Sequence, residues 1–165
     1  MIRMSNAYFA GGCFWCITPV FIDAGALRVE CGYSGGSEAA PSYHDVKSQM
    51  TGHRETVRIE YDPEKLSFDR LVDIFLENVD PFDGEGQFID RGRSYTLAIY
   101  YLTEEEKKTA TVKIAELEER AGRKACISVE PFRSFFSAEE EHQDYYLKNP
   151  EAFERELKES GRKRQ

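Results

Sequence analysis

Gly11-Gly12-Cys13-Phe14-Trp15-Cys16 sets two thiols three residues apart, with two glycines before them and two large aromatics between them. Ala7-Tyr8-Phe9-Ala10 reads as a short buried strand. The residues after the motif, Ile17 to Ala24, read as a helix that begins near Cys13, with Pro19 tolerated only near its first turn. A cysteine at a helix N-terminus faces unpaired backbone N–H groups and the positive end of the helix dipole, so the sequence predicts a lowered pKa for Cys13 and a nucleophilic thiolate. Cys16 follows at i+3 on the same helical face, where two sulfurs can bridge each other or face a common redox partner. A zinc site would need two further ligands, and the chain offers neither a second CxxC nor a closely spaced histidine pair. A cysteine-protease reading would draw on His142 and Asn149, but His142 follows Glu139-Glu140-Glu141, which reads as a solvated face, and there is little room for a second lobe.

The elements that must position these thiols can be taken in chain order. Arg28 to Tyr33 alternates polar and apolar residues as a half-buried strand, with Cys31 facing the core beside Val29 and Tyr33. Ser34 to Gln49 reads as a long functional loop carrying Tyr43 and His44. Glu55 to Tyr61 alternates again and stops at Asp62-Pro63. Ser67 caps a helix whose Phe68, Leu71, Val72, Phe75, Leu76 and Val79 share one face. Asp80 to Ser94 is a second long loop that delivers Asp90-Arg91-Gly92 to an exposed edge, and it feeds a central strand over Tyr95 to Leu102. Thr103 with Glu106 forms a capping box for a helix running to Gly122, with Ala110, Ile114, Leu117 and Ala121 as its buried stripe. A strand around Cys126 to Val129 follows. Ser137 with Glu140 reads as another capping box, opening a helix that ends at Asn149-Pro150, and Glu151 to Ser160 as a last surface helix. The expected architecture is α+β: a two-layer, ferredoxin-like sandwich with helices flanking a small mixed sheet.

The chain has 165 residues, 41% of them hydrophobic and 32% charged, enough to bury a core as one catalytic domain over 1–165, with a core from about 7 to 150 and the surface helix beyond it. A net charge of -8 argues against a nucleic-acid partner, and Arg162-Lys163-Arg164 reads as a frayed helix end. No run approaches a membrane span or a signal-peptide core, and four cysteines without a scaffold spacing suit a reducing cytoplasm.

Taken together, Gly11-Gly12-Cys13-Phe14-Trp15, Gly32-Tyr33-Ser34-Gly35-Gly36, Pro41-Ser42-Tyr43, Thr51-Gly52-His53-Arg54-Glu55, Tyr61-Asp62-Pro63, Asp90-Arg91-Gly92 with Tyr95, and His142-Gln143 with Lys148-Asn149-Pro150 resemble the A-type peptide methionine sulfoxide reductases. The resemblance spans about Tyr8 to Pro150 in the family's order. It implies that Cys13 is the nucleophile and Glu55 the proton donor, that Tyr43 and Tyr95 donate hydrogen bonds to the sulfoxide oxygen, and that Asp90 orders this polar set. Phe14 and Trp15 would form an apolar cup around the substrate methyl group. The implied substrate is methionine sulfoxide, free or in peptides and proteins, as the S epimer. No cofactor or metal is expected. Product release leaves a sulfenic acid on Cys13, which a second thiol converts to a disulfide that thioredoxin or a similar dithiol reduces. Many relatives place resolving cysteines in a C-terminal tail, but no cysteine follows Cys126 here. Cys16 is the first choice as resolver, although a disulfide across one helical turn asks for local rearrangement, with Cys126 and an external thiol as alternatives. His44 and His53 are read as orienting the loop. The competing function is a CxxC thiol–disulfide exchange or redox-binding module with no sulfoxide chemistry.

Overall fold

The computed structural model describes residues 4–160 and 162. Strand β1 (Ser5–Gly11) enters the glycine turn, and helix α1 (Phe14–Asp23) leaves it with Cys13 as N-cap. Strand β2 (Arg28–Ser34), helix α2 (Tyr43–Lys47), strand β3 (Arg54–Tyr61) and helix α3 (Phe68–Glu77) follow. The short strands β4 (Gly86–Gln87) and β5 (Asp90–Arg91) form a hairpin, and a 3₁₀ turn at Arg93–Tyr95 leads into strand β6 (Leu97–Tyr101). Helix α4 (Glu104–Ala121), strands β7 (Ile127–Pro131) and β8 (Phe136–Ser137), a 3₁₀ turn at Glu140–His142, and helices α5 (Tyr145–Lys148) and α6 (Pro150–Ser160) complete the chain.

The sheet runs β7-β6-β1-β3-β2-β8, antiparallel throughout except for the parallel pair β6 and β7. Its four inner strands with α1 and α3 make the βαββαβ order of a ferredoxin-like fold, as the sequence predicts. Strand alternation sorts the two faces. Ala7 and Phe9, Val29, Cys31 and Tyr33, and Val57, Ile59 and Tyr61 meet the helices in the main core, with Ile17, Phe21, Leu71 and Phe75. On the opposite face Tyr8, Ala10, Ala98 and Tyr100 are covered by Phe132 and Phe135. Arg54 points to that second face, where its guanidinium donates to the Tyr100 hydroxyl and pairs with Glu130 at 2.8 Å.

Several elements depart from the sequence expectations. Pro19 sits inside α1, beyond its first turn, so one carbonyl loses its helical donor while Phe14, Ile17 and Phe21 hold the helix by burial. The first long loop contains α2, opened by a capping box between Ser42 and Asp45. In α4 only Ala110 and Ile114 of the expected stripe are buried; Leu117 is half-buried and Ala121 exposed. Ser137 caps no helix: it lies in the edge strand β8 and donates to Glu30. Helix α6 is more than a surface helix, since Phe153 and Leu157 pack into a cluster with Cys13 and Cys16. Arg162 is buried rather than frayed, while Lys163 and Arg164 fall outside the described residues.

Candidate active site

The position of Cys13 is set by Gly12. Its φ of +89° is left-handed backbone that side-chain-bearing residues rarely adopt, and a Cβ there would lie 2.7 Å from the Gln87 Cβ. Gln87 is buried and fixed on both ends of its amide, donating to the Asp80 and Gly86 carbonyls and accepting from the Asp80 N–H at 2.8 Å. The β4–β5 hairpin is thereby packed against the turn that presents Cys13.

Glu55 takes the helix N-terminus that the sequence reading gave to the thiol. The Phe14 N–H, first in α1, donates to Glu55 Oε1 at 3.1 Å, and Cys13 makes no side-chain cap bond. Glu55 lies in phase with Val57 and Ile59 on the helix-facing side of β3, opposite Tyr33, and is 1% exposed. Burial pushes its pKa up to about 8; the Phe14 N–H and Lys47 oppose, and Asp90 and Cys16 add to the rise. Its Oε2 is buried without a hydrogen-bond partner, the oxygen on which a proton would sit.

The two thiols lie in one buried cluster. Interaction with the Cys16 thiol and burial raise the Cys13 pKa well above the ordinary thiol value, with the charges of Cys16, Glu55 and Asp90 adding to the effect. Interaction with the Cys13 thiol lowers the Cys16 pKa against its burial, and Arg162 helps. The lowered Cys13 pKa expected from the helix end is therefore not found: Glu55 occupies the first amide, and Cys13 keeps its proton. At neutral pH the resting centre holds a Cys13 thiol beside a protonated carboxyl.

Tyr43, Tyr95 and Asp90 are brought to this centre by α2, the 3₁₀ turn and β5. Burial raises the pKa of both phenols, and the Glu55 charge is the next contribution to each, so both keep their protons as donors. Asp90 is half-buried and raised by that burial, with Arg162 and Lys47 opposing; its charge bears on Glu55, Cys13, Cys16 and both tyrosines. Above them stand the aromatics. Phe14 is wholly buried, while Trp15 is half-exposed and stacks on Tyr145 at a centroid distance of 4.0 Å. Tyr43 stacks on His142 at 4.0 Å, and this pair lies 5.8 and 5.6 Å from Trp15.

His142, Tyr145, Glu139 and Gln143 belong to the site although the residue types alone did not place them there. His142 is buried against Phe14, Trp15 and Tyr43, not on a solvated face, and burial lowers its pKa so the ring is neutral. Gln143 pins it there by pairing with the β2 edge like a strand: its amide accepts from the Cys31 N–H and donates to the Cys31 carbonyl. Glu139 accepts from the Tyr33 hydroxyl and the Tyr43 N–H, fixing α2. Glu139, Glu141 and His142 bring ligand atoms within 4.8 Å of one another, yet both Glu139 oxygens are already engaged and Glu141 is exposed, which is poor chemistry for a metal. Cys31 lies in the core with its pKa pushed up to about 12 by burial, and Cys126 is exposed with its sulfur on the Phe82 carbonyl. His53, just before β3, ties that strand's start to the first long loop, accepting from the Gly36 N–H while its Nε2 meets the Glu38 carbonyl; His44 is exposed.

Residues 5–165 match the family model described as peptide methionine sulfoxide reductase. This chain belongs to that family. A peptide methionine sulfoxide reductase MsrA 2 of Staphylococcus aureus (strain MW2) is 44% identical over 160 residues, covering 95% of this chain and 90% of its own. Among solved structures, Mxr1 of Saccharomyces cerevisiae in its reduced form superposes with a TM-score of 0.84 at 26% identity, over 90% of this chain and 87% of that one. Mxr1 in complex with Trx2 is similar in fold, with a TM-score of 0.60 at 17% identity over 87% and 85% of the two chains. The family resemblance drawn from the motifs and the mixed-sheet sandwich both hold.

Proposed function

We propose the following division of labour for the thiol-dependent reduction of methionine sulfoxide that characterises this family. The Cys13 sulfur attacks the sulfoxide sulfur while Glu55 gives its proton to the sulfoxide oxygen, and the Cys13 thiol proton replaces it on Glu55. The protonated oxygen then passes to the Cys13 sulfur: the substrate sulfur–oxygen bond and the transient sulfur–sulfur bond break, methionine leaves with its sulfur reduced by two electrons, and Cys13 remains as a sulfenic acid with its sulfur oxidised by two. Tyr43 and Tyr95 steady the oxygen by hydrogen bonds, Asp90 holds a charge nearby that favours the protonated carboxyl, and Phe14 and Trp15 receive the methyl group. Cys16, packed with Cys13 in one buried cluster, is the resolving thiol, and a thioredoxin-like dithiol reduces the disulfide, in keeping with the Mxr1–Trx2 pairing. The substrate is the S epimer, free or protein-bound, and the whole chain acts as one catalytic unit. Among the described residues no helix is long and apolar enough to cross a membrane, and we assign the protein to the cytoplasm, where free thiols persist.

The observation that carries this reading is the buried Glu55 carboxyl, protonated near neutrality, with Oε1 on the amide that follows Cys13 and Oε2 unpartnered. A thiol–disulfide exchange module has no use for such an acid. The test supplies each sulfoxide epimer with dithiothreitol and quantifies methionine. Turnover of the S epimer is expected; turnover of neither would sink the reductase reading, and turnover of the R epimer alone would sink the stereochemical claim.

A further inference from the structure

The chain's last described residue reaches back into the site. Arg162 is 8% exposed, and its guanidinium donates to the Gly11 carbonyl at 3.0 Å and to the Asn78 carbonyl at 2.7 Å. It lies over the Phe88 ring at 4.8 Å, at the tip of the hairpin that carries Asp90, and its Nη2 would sit 3.1 Å from a Cβ on Gly12. Three segments meet on this one side chain: the turn before the nucleophile, the end of α3 and the β4–β5 hairpin. Helix α6 brings it there, with Phe153 and Leu157 packed on the two thiols. Ser160 secures the approach, accepting from the Arg162 N–H at 3.1 Å.

This buried guanidinium gives two donors to backbone carbonyls, and no carboxylate among the described residues is bonded to it. We propose that Arg162 is a positioning residue of this active site: it clamps the Gly11-Gly12 turn to the Asp90 hairpin and sets a cation beside the cysteine pair, so that Cys16 meets the Cys13 sulfenic acid as a nucleophile. This rests on Cys16 as the resolving thiol. In that step the Cys16 sulfur bonds to the Cys13 sulfur, the Cys13 sulfur–oxygen bond breaks, and the departing hydroxyl takes up the Cys16 thiol proton and leaves as water, so that sulfenic acid plus thiol give disulfide plus water. The Cys13 thiol and the cation of Arg162 favour the Cys16 thiolate; Asp90 and Glu156 oppose it together with burial, and the Glu55 carboxyl, when charged, repels it as well. Arg162 is the one cation among them, and it is held at fixed geometry.

The experiment compares wild type with Arg162→Met and Arg162→Lys in single turnovers, following methionine formation and thiol loss separately across pH. In Arg162→Met, disulfide formation should slow at least about tenfold more than methionine formation, and its pH profile should move up by about one unit, with Arg162→Lys recovering most of both. Iodoacetamide labelling of Cys16 in a Cys13→Ser background reads the cation's effect without a resolving step and should show the same pH shift on losing Arg162. Equal slowing of both steps with an unmoved pH profile would reduce Arg162 to a structural residue and overturn the proposal. An unmoved labelling profile would overturn it as well. A shifted labelling profile with Cys13 mapped to another partner than Cys16 would instead place the failure in the resolver assignment, and with it Arg162's part in resolution.

Discussion

Replacing Glu55 by glutamine should separate what this acid does for catalysis from what it costs the fold. Burial raises its pKa from an ordinary 4.5 to about 8, so between those pH values the folded protein holds one proton that the unfolded chain has lost. Stability from this group therefore decreases as pH rises through that window, by about 1.4 kcal/mol per unit and roughly 5 kcal/mol in all, and the loss is complete above the folded pKa. Glutamine fills the same volume and cannot ionise, so Glu55→Gln lacks this slope. The two proteins share every other titrating group, and the difference between their urea-unfolding free energies at about pH 5 and about pH 9 isolates Glu55. The variant should gain several kcal/mol on wild type across that range while losing about 10²- to 10⁴-fold in single-turnover rate near neutral pH. The wild-type rate should fall about tenfold per unit above about pH 8, where the proton is gone, and the variant's slow rate should not follow that limb. Parallel stability curves would refute the buried-acid argument, and full activity of Glu55→Gln across pH would refute the proton-donor role.

Gly12→Ala would force a left-handed φ on alanine and drive its Cβ into Gln87, so it should lose about 2–4 kcal/mol of stability and most of its activity through a displaced Cys13, read by thermal unfolding and turnover together. Leu157→Ala should cost about 2–4 kcal/mol and speed alkylation of Cys13 and Cys16 in the resting protein several-fold, as the α6 cover loosens. Tyr43→Phe and Tyr95→Phe should each lower kcat/KM about 10- to 100-fold with unchanged unfolding midpoints, and the double variant should fall further, measured with the same sulfoxide.

The sheet was readable because its strands obey a period of two and its main helix a period of 3.6, and the same alternation contained more than the sequence reading drew from it. Glu55 falls in phase with Val57, Ile59 and Tyr61, so a carboxyl on the apolar face of β3 could have been marked as buried from the pattern alone. Ser42 with Asp45 carries a capping signal that marks α2. His142 was hidden by its neighbours: three glutamates before it signal solvent, while its burial comes from Gln143 pairing with β2 more than a hundred residues earlier. The Cys13 pKa departs from the sequence expectation because the neighbouring Cys16 and burial raise it, while the first amide of the helix is claimed by Glu55 from a distant strand. Arg162 looked like a frayed end because the contacts that bury it lie at Gly11 and Asn78, and no local pattern records such contacts.

Transfer of the sulfoxide oxygen to Cys13 can be read in one turnover of the Cys16→Ser variant with the S epimer, followed by a dione trap for sulfenic acid and peptide mass spectrometry. One trapped sulfenic acid on Cys13 for each methionine formed is the expected result. Methionine formed with no trapped oxygen on Cys13, or with the trap on Cys31 or Cys126, would contradict the account.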